Sequence, residues 1–108
     1  MVLYHGTPKK NVFSIMKEGL KEGIDGGVYL CETIEDALQF MALKRYQTGE
    51  TIFAVIPVYL DENDKVYAAE DHNSRIIKVK AYYHDGSIPA EKVEQDLSNI
   101  PLYGFHVS

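Results

Sequence analysis

The residue types best suited to chemistry near the start of the chain are His5, Gly6 and Thr7, which follow one another directly. A histidine ring and a threonine hydroxyl offer hydrogen-bond donors and acceptors to a ligand. Glycine lets that ligand approach the backbone closely, because it carries no Cβ atom. The same tripeptide also fits an ordinary strand end that runs into a Gly-Thr-Pro turn, so the three residues alone leave both interpretations open.

A second group of candidates follows the glycine pair Gly26 and Gly27, and consists of Tyr29 and, further along, Phe40. A tyrosine on a short strand and an aromatic residue on the next helix can form a slot for a flat ring. Ring stacking is favourable by about 1 kcal/mol beyond the area that it buries. The alternative is that both rings are ordinary core residues.

The first half of the chain supplies elements that would position these groups. Residues 2–5 are predicted to form a strand that ends at Thr7 and the proline after it. Asn11 is predicted to cap a helix with its side-chain oxygen, and Gly19 fits the left-handed end of that helix. Residues 28–30, which contain the tyrosine, are predicted to form a second strand.

Further elements follow at similar spacing. A helix is predicted from Thr33 to about Tyr46, with Asp36 in a position typical of a capping box. Residues 51–60 are rich in β-branched side chains and predict a strand, which Pro57 would place at an edge or a bulge.

The last third of the chain predicts a short extended piece over residues 66–69 and a clear alternating strand over 76–83. A short helix is then predicted over residues 90–97, and a final strand over 102–107. The whole pattern indicates a mixed α+β domain with at least five strands and three helices.

Composition narrows the function classes. A chain of 108 residues is enough for one domain with one core. Its net charge of −5 disfavours a protein that holds nucleic acid mainly through phosphate contacts. We expect no membrane partner, since no apolar run approaches the roughly 18 residues of a span. The single cysteine and the lack of a signal-peptide pattern lead us to expect a cytoplasmic protein.

Four short motifs occur in a recognisable order: His5-Gly6-Thr7, Glu18-Gly19-Leu20, Gly27-Val28-Tyr29-Leu30 and Asp36-Ala37. Together they resemble the front half of the ADP-ribosyltransferase superfamily, in its poly(ADP-ribose) polymerase and diphtheria-toxin branch with a His-Tyr-Glu triad. Residues 86–93 are similar to the Ile-Pro-x-Glu-x-Ile segment of tRNA 2′-phosphotransferases and of bacterial DNA ADP-ribosyltransferase toxins. The resemblance spans roughly residues 2 to 94.

The resemblance implies a single domain over residues 1–108, built as an α+β fold of two small, mostly antiparallel sheets that form a cleft with flanking helices. It implies NAD⁺ as a substrate that donates ADP-ribose. The acceptor, whether a protein, a nucleic acid or a small molecule, is left unknown.

Roles for five residues follow from the same resemblance. His5 would hydrogen-bond the adenosine-side ribose, and Gly6 would hold the nicotinamide carboxamide through its backbone. Thr7 would support the pocket with its hydroxyl. Tyr29 would stack on the nicotinamide ring, and Phe40 would stand where relatives often place a second aromatic residue.

The sequence departs from the family pattern at the catalytic glutamate, which usually opens a late strand. Here that position is Arg75, and residues 76–83 contain no acid. Three readings stay open: the loop acids Glu70 or Asp71 replace the glutamate, Arg75 acts on a phosphate, or the triad is broken and the protein binds without turnover.

Other candidate residues favour structural roles. His72 and His84 lack the spacing of metal ligands, and Cys31 is predicted to be a buried structural thiol. The possible functions are therefore an ADP-ribosyltransferase or NAD⁺ glycohydrolase, a binding module for NAD⁺ or ADP-ribose, a tRNA 2′-phosphotransferase, or an interaction protein with coincidental motifs.

Overall fold

The computed structural model describes residues 1–24, 26–69 and 81–105, and the side chains of all of these except 43–48 and 69. Its strands are β1 (Val2–Pro8), β2 (Gly27–Cys31), β3 (Ile52–Tyr59), β4 (Val66–Ala69), β5 (Ala81–Asp85) and β6 (Leu102–Gly104). Its α-helices are α1 (Val12–Glu18) and α2 (Ile34–Thr48), and three short 3-10 helices cover Lys9–Asn11, Ala90–Lys92 and Leu97–Asn99. None of the helices among these residues combines the length and apolar character that crossing a membrane requires.

The six strands form one sheet in the order β4-β5-β2-β1-β3-β6, and every neighbouring pair is antiparallel. The α+β class is confirmed, but the expectation of two separate sheets is wrong for the described residues. The reason is that β1 pairs with both β2 and β3. On the β2 side, that pairing consists of the single pair Tyr4 and Cys31.

One face of the sheet carries the main core and is covered by α1. Side chains at alternating positions of β1 and β3 meet across this face, as in the pairs Leu3–Val58 and His5–Ile56. The buried members of this core are Leu3, Val12, Leu20, Val28, Leu30, Ala54, Ile56, Val58, Leu60, Ile88, Val93 and Ile100. Full burial of one such aliphatic side chain stabilises the fold by about 1.5 to 3 kcal/mol.

The opposite face is covered by α2. Its smaller buried cluster consists of Cys31, Ala37 and Val55, with Tyr4 and Leu38 packed against it. Because side chains alternate along a strand, the residues of β1 and β2 that share this face are the even-numbered ones of β1 and the odd-numbered ones of β2. Tyr29 and Gly6 therefore both lie on the α2 side.

The two helix boundaries confirm part of the sequence-based prediction. Gly19 ends α1 with φ 82°, the left-handed conformation that glycine adopts easily. The Thr33 hydroxyl accepts a hydrogen bond from the Asp36 N–H (3.1 Å) at the start of α2. Asn11, in contrast, makes no side-chain cap, because its amide group donates to the Thr7 hydroxyl instead (3.4 Å).

The predicted end of β1 at Thr7 is wrong, since the strand continues through Pro8, which lies opposite Phe53 of β3. Pro57 is also not on an edge strand, because β3 lies between β1 and β6. However, β6 pairs only with residues 52–54 of β3. Beyond it the Pro57 carbonyl accepts a hydrogen bond from the Glu94 N–H (3.0 Å).

The helix predicted over residues 90–97 is wrong. Val93 is extended, with φ −97° and ψ 141°, and forms a bridge to Val58 of the sheet. The segment is therefore two short 3-10 turns separated by a backbone contact with β3. The strand predicted over 66–69 is confirmed as β4, whereas residues 76–80 of the predicted late strand and residues 106–107 of the last one lie outside the described residues.

A buried ionic cluster fixes β5 to the turn before β4. The Asp64 carboxylate accepts hydrogen bonds from Lys92 Nζ (2.8 and 2.7 Å) and lies 3.1 Å from His84 Nε2. The other ring nitrogen of His84 lies 3.0 Å from the Gly86 carbonyl oxygen. Burial alone would raise the pKa of Asp64, but the hydrogen bonds from Lys92, the Asp61 N–H and His84 lower it to about 2.

This cluster predicts a defined acid sensitivity. The pKa of Asp64 is about 2 in the folded chain and 3.8 for the ordinary group, so the ionised carboxylate stabilises the fold above about pH 4. That contribution, about 2 kcal/mol since one pKa unit is about 1.4 kcal/mol, is lost as the pH falls towards 2. Urea unfolding of Asp64→Asn should show a lower stability at pH 7 and a flatter loss between pH 4 and pH 2.

Asp85→Asn, which changes an exposed carboxylate on β5, serves as the control and should keep the pH dependence of the parent chain. An Asp64→Asn variant whose stability falls with acid as steeply as that of the parent would contradict the assignment.

Candidate functional site

The candidate site is a cavity of about 420 Å³ where β1 and β2 separate. The two strands are paired at Tyr4 and Cys31, and no further pair joins them. The wedge that opens beyond this pair is closed by α2 on one side and by the loop after α1 on the other. Its volume lies within the range of about 300 to 1,000 Å³ typical of small-molecule sites.

The five residues that the sequence placed at a ligand site line this one cavity: His5, Gly6, Thr7, Tyr29 and Phe40. They come from β1, β2 and α2, which are separated in the chain by a helix and a glycine-rich loop. Glu70, Asp71 and Arg75, the other predicted site residues, lie outside the described residues. The two motifs thus share one groove, which the sequence could not establish.

Gly6 turns its backbone towards the cavity. It lies opposite Val55 of β3, and the Val55 N–H donates to the Pro101 carbonyl (3.1 Å), on the side of β3 away from β1. The N–H and C=O of one strand residue point to the same side of the strand. Gly6 and Val55 are therefore a pair that exchanges no backbone hydrogen bonds. The N–H and C=O of Gly6 therefore point away from β3 and into the wedge.

His5 occupies the start of the wedge. In a continued antiparallel ladder, the residue opposite Gly6 would be Tyr29, whose carbonyl would accept from the Gly6 N–H. Instead, the Tyr29 carbonyl oxygen lies 3.1 Å from His5 Nδ1. The imidazole ring thus takes the place of a backbone partner, and the strands stay apart.

An aromatic wall forms the α2 side of the site. The Tyr29 side chain is 43% exposed and makes an edge-to-face contact with Tyr83 of β5, with ring centroids 5.4 Å apart. Phe40 and Met41 of α2 face the same space. The Tyr29 ring is thus partly exposed beside the cavity and in contact with a second aromatic ring.

Tyr83 contacts the site but was not among the residues that the sequence motifs indicated. Its ring covers Gly27, where an added Cβ would lie 2.2 Å from Tyr83 Cζ, and it is paired with Tyr29 in the register of β2 and β5. The only signal in the sequence was the alternation of residues 81–83, which placed Tyr83 on one face without saying which strand it would meet.

Two polar groups lie at the α1 side of the cavity. Thr7 is only 4% exposed, and its hydroxyl accepts the hydrogen bond from Asn11 described above. Asn11 also lines the cavity, whereas the sequence indicated only a helix cap at this position. Together they provide a hydroxyl and an amide next to the backbone of Gly6.

The described lining of the cavity differs in charge from this acidic chain as a whole. The described lining residues include no aspartate or glutamate, and their only lysine is Lys21. Cys31 is buried, as predicted. Within the described ranges, no three histidine, cysteine or acidic side chains converge into a group able to hold a metal ion.

The close contact of Tyr83 with Gly27 predicts a coupled pair. Gly27→Ala should force the Tyr83 ring off β2 and destabilise the fold by about 1 to 3 kcal/mol, as overpacking does. In a Tyr83→Ala background the same change should cost much less, because the obstructing ring is gone. Urea unfolding of both single variants and the double variant measures this coupling.

Gly104→Ala is the matched control, since an added Cβ at Gly104 would meet nothing within 4 Å. If the losses in the free energy of unfolding of the two single variants simply add in the double variant, the Tyr83 ring does not pack on Gly27.

Comparison with known proteins adds no assignment to this geometry. No protein-family model matches the chain, and no curated protein matches it either. The geometry of the site is therefore interpreted from its own residues.

Proposed function

We propose that the chain is an NAD⁺-dependent, ADP-ribosyltransferase-like enzyme, which cleaves the bond between nicotinamide and ribose and transfers ADP-ribose to an acceptor. One observation carries the proposal: His5, Gly6, Thr7, Tyr29 and Phe40, identified from separate motifs, line a single cavity. Coincidental motifs would have no reason to meet around one opening in the sheet.

The backbone of Gly6 suits the nicotinamide carboxamide. A carboxamide presents one N–H donor and one carbonyl acceptor side by side, and a strand residue that points both N–H and C=O into a wedge offers the complementary pair. The pair with Val55, which leaves these groups facing the wedge, is the structural basis for this role. An added Cβ at Gly6 would lie 2.7 Å from Met41 Cγ, so a larger residue here would force the Met41 side chain to shift.

Tyr29 and Phe40 suit the nicotinamide ring. In NAD⁺ this ring is a pyridinium cation, which is attracted to the face of an aromatic side chain by about 0.5 to 2 kcal/mol. The edge-to-face contact with Tyr83 would hold the Tyr29 ring in a fixed orientation before the ligand arrives. Such preorganisation reduces the entropy that binding would otherwise cost.

His5 suits a ribose hydroxyl. Its Nδ1 lies 3.1 Å from the Tyr29 carbonyl oxygen, an acceptor, and in the neutral ring with its proton on Nδ1 the acceptor is Nε2. An acceptor nitrogen of fixed orientation can receive a hydrogen bond from a sugar hydroxyl. Thr7, buried and bonded to Asn11, would support this side of the pocket.

In the proposed reaction, the bond from ribose C1′ to the nicotinamide nitrogen breaks, and its electron pair leaves with nicotinamide. The acceptor then forms the new bond to C1′ and loses a proton. The ribose carries positive charge between these events, so a nearby carboxylate would stabilise the transition state by several kcal/mol, about 3 or more. We assign that role to Glu70 or Asp71, which follow in the sequence directly after Ala69, the β4 partner of the lining residue Ala81.

A second candidate is a binding module for NAD⁺ or ADP-ribose without turnover. It is favoured by the absence of any carboxylate among the described lining residues. The two functions share the same cavity and the same contacts with the nicotinamide end, and differ only in whether nicotinamide is released.

The proposal predicts the effect of removing the stacking ring. Tyr29→Ala should lower the rate of nicotinamide release about five- to thirtyfold, because it removes the stacking and cation–π contributions of about 1 to 2 kcal/mol. Tyr29→Phe should keep most of the activity. Release is followed chromatographically after incubation of the purified chain with NAD⁺, and binding is measured in parallel by calorimetry.

Phe13→Ala is the control, since Phe13 is an exposed aromatic residue on α1 outside the cavity. NAD⁺ binding without nicotinamide release, from the parent chain and from Glu70→Gln and Asp71→Asn alike, would select the binding module. A parent chain that neither binds NAD⁺ nor releases nicotinamide would contradict both candidates.

A further inference from the structure

Lys21 is the only lysine or arginine among the described residues that line the cavity. The chain has 16 acidic and 11 basic residues, yet no acidic side chain lines the described part of this groove. Two other lysines of the described chain are held in ion pairs, Lys10 with Glu50 (2.7 Å) and Lys92 with Asp64 (2.7 Å). The groove therefore has a local positive bias in a protein of opposite net charge.

The backbone on either side of Lys21 is anchored. The preceding residue, Leu20, exchanges two backbone hydrogen bonds with Ile88, each 2.8 Å long. The following residue, Glu22, donates its N–H to the Ser87 hydroxyl (2.9 Å). Since Leu20 is buried in the core and side chains alternate along an extended segment, Lys21 projects to the other side, at the cavity mouth.

The loop beyond Lys21 leaves that mouth open. Gly23 and Gly27 both line the cavity, and the Gly23 N–H donates to the Gly27 carbonyl (2.9 Å). Gly26 completes the turn with φ 86°. Gly23 and Gly27 carry no side chains at this lining, which leaves room for a ligand held at Gly6 to extend past the Lys21 ammonium group.

We propose that Lys21 binds the diphosphate of the ligand, so that the site selects dinucleotides and ADP-ribose derivatives over nicotinamide nucleosides that lack phosphate. This inference rests on the proposed function, which concerns the nicotinamide end of the cavity, and adds the recognition of the phosphates. A lysine ammonium is a compact point charge with three donors, suited to a flexible diphosphate. None of the described lining residues is an acid that would compete with a phosphate for this ammonium group.

The experiment compares three ligands that share the nicotinamide riboside group: nicotinamide riboside with no phosphate, nicotinamide mononucleotide with one phosphate, and NAD⁺ with a diphosphate and an adenosine. Dissociation constants are measured by calorimetry for the parent chain, Lys21→Met and Lys21→Arg, at low and high salt. Lys17→Met is the matched control, because Lys17 is an exposed lysine of α1 outside the cavity.

The expected result is that Lys21→Met weakens NAD⁺ binding about tenfold, as the loss of a charged hydrogen bond does, and leaves nicotinamide riboside binding unchanged. The salt dependence of NAD⁺ affinity should flatten in the same variant, because exposed charge interactions are screened. Lys21→Arg should restore most of the NAD⁺ affinity, and Lys17→Met should resemble the parent chain.

Equal NAD⁺ affinity in the parent chain and in Lys21→Met would overturn the role of Lys21 and leave the proposed function standing. A uniform loss for all three ligands would also overturn it, since that pattern indicates a damaged cavity. A parent chain that binds neither NAD⁺ nor nicotinamide riboside would contradict the proposed function, and the role of Lys21 with it.

Discussion

The structure depends on an interruption in the hydrogen-bonded ladder between β1 and β2. The two strands are neighbours in one sheet, but they are paired only at Tyr4 and Cys31. Beyond that point the His5 ring meets the Tyr29 carbonyl, and the backbone of Gly6 faces open space. Unpaired backbone groups inside a sheet are costly, and a polar ligand that satisfies them gains binding energy from the same groups.

The aromatic side of the cavity depends on two residues of β5, His84 and Tyr83, whose side chains lie on opposite faces of the sheet. His84 is held in the buried cluster with Asp64 and Lys92 on the α1 face. The preceding residue, Tyr83, must then lie on the α2 face, where it covers Gly27 and contacts Tyr29. The ionic cluster on the opposite face of the sheet thereby helps to orient Tyr83, which contacts the Tyr29 ring that we propose stacks on nicotinamide.

Local signals in the sequence predicted local features well. Gly19 and Thr33 mark helix ends through their own backbone and hydroxyl chemistry, whereas the ligand-binding roles of His5 and Tyr29 stay predictions. The single sheet, the extended Val93 and the role of Tyr83 were not predictable, because each depends on which strand a segment meets. Strand pairing is decided by contacts between distant residues, and periodicity reports only which face a side chain takes.

Pro8 shows how such a wedge can persist. It lies opposite Phe53 at a position equivalent to that of Gly6, so its ring nitrogen, which carries no hydrogen, points towards the gap and not towards β3. At Pro8 the outer end of the gap therefore lacks an N–H donor with which β2 could pair. An extended segment of another molecule would likewise meet no N–H donor at this position. A proline at this position protects the opening against both self-closure and strand-mediated aggregation.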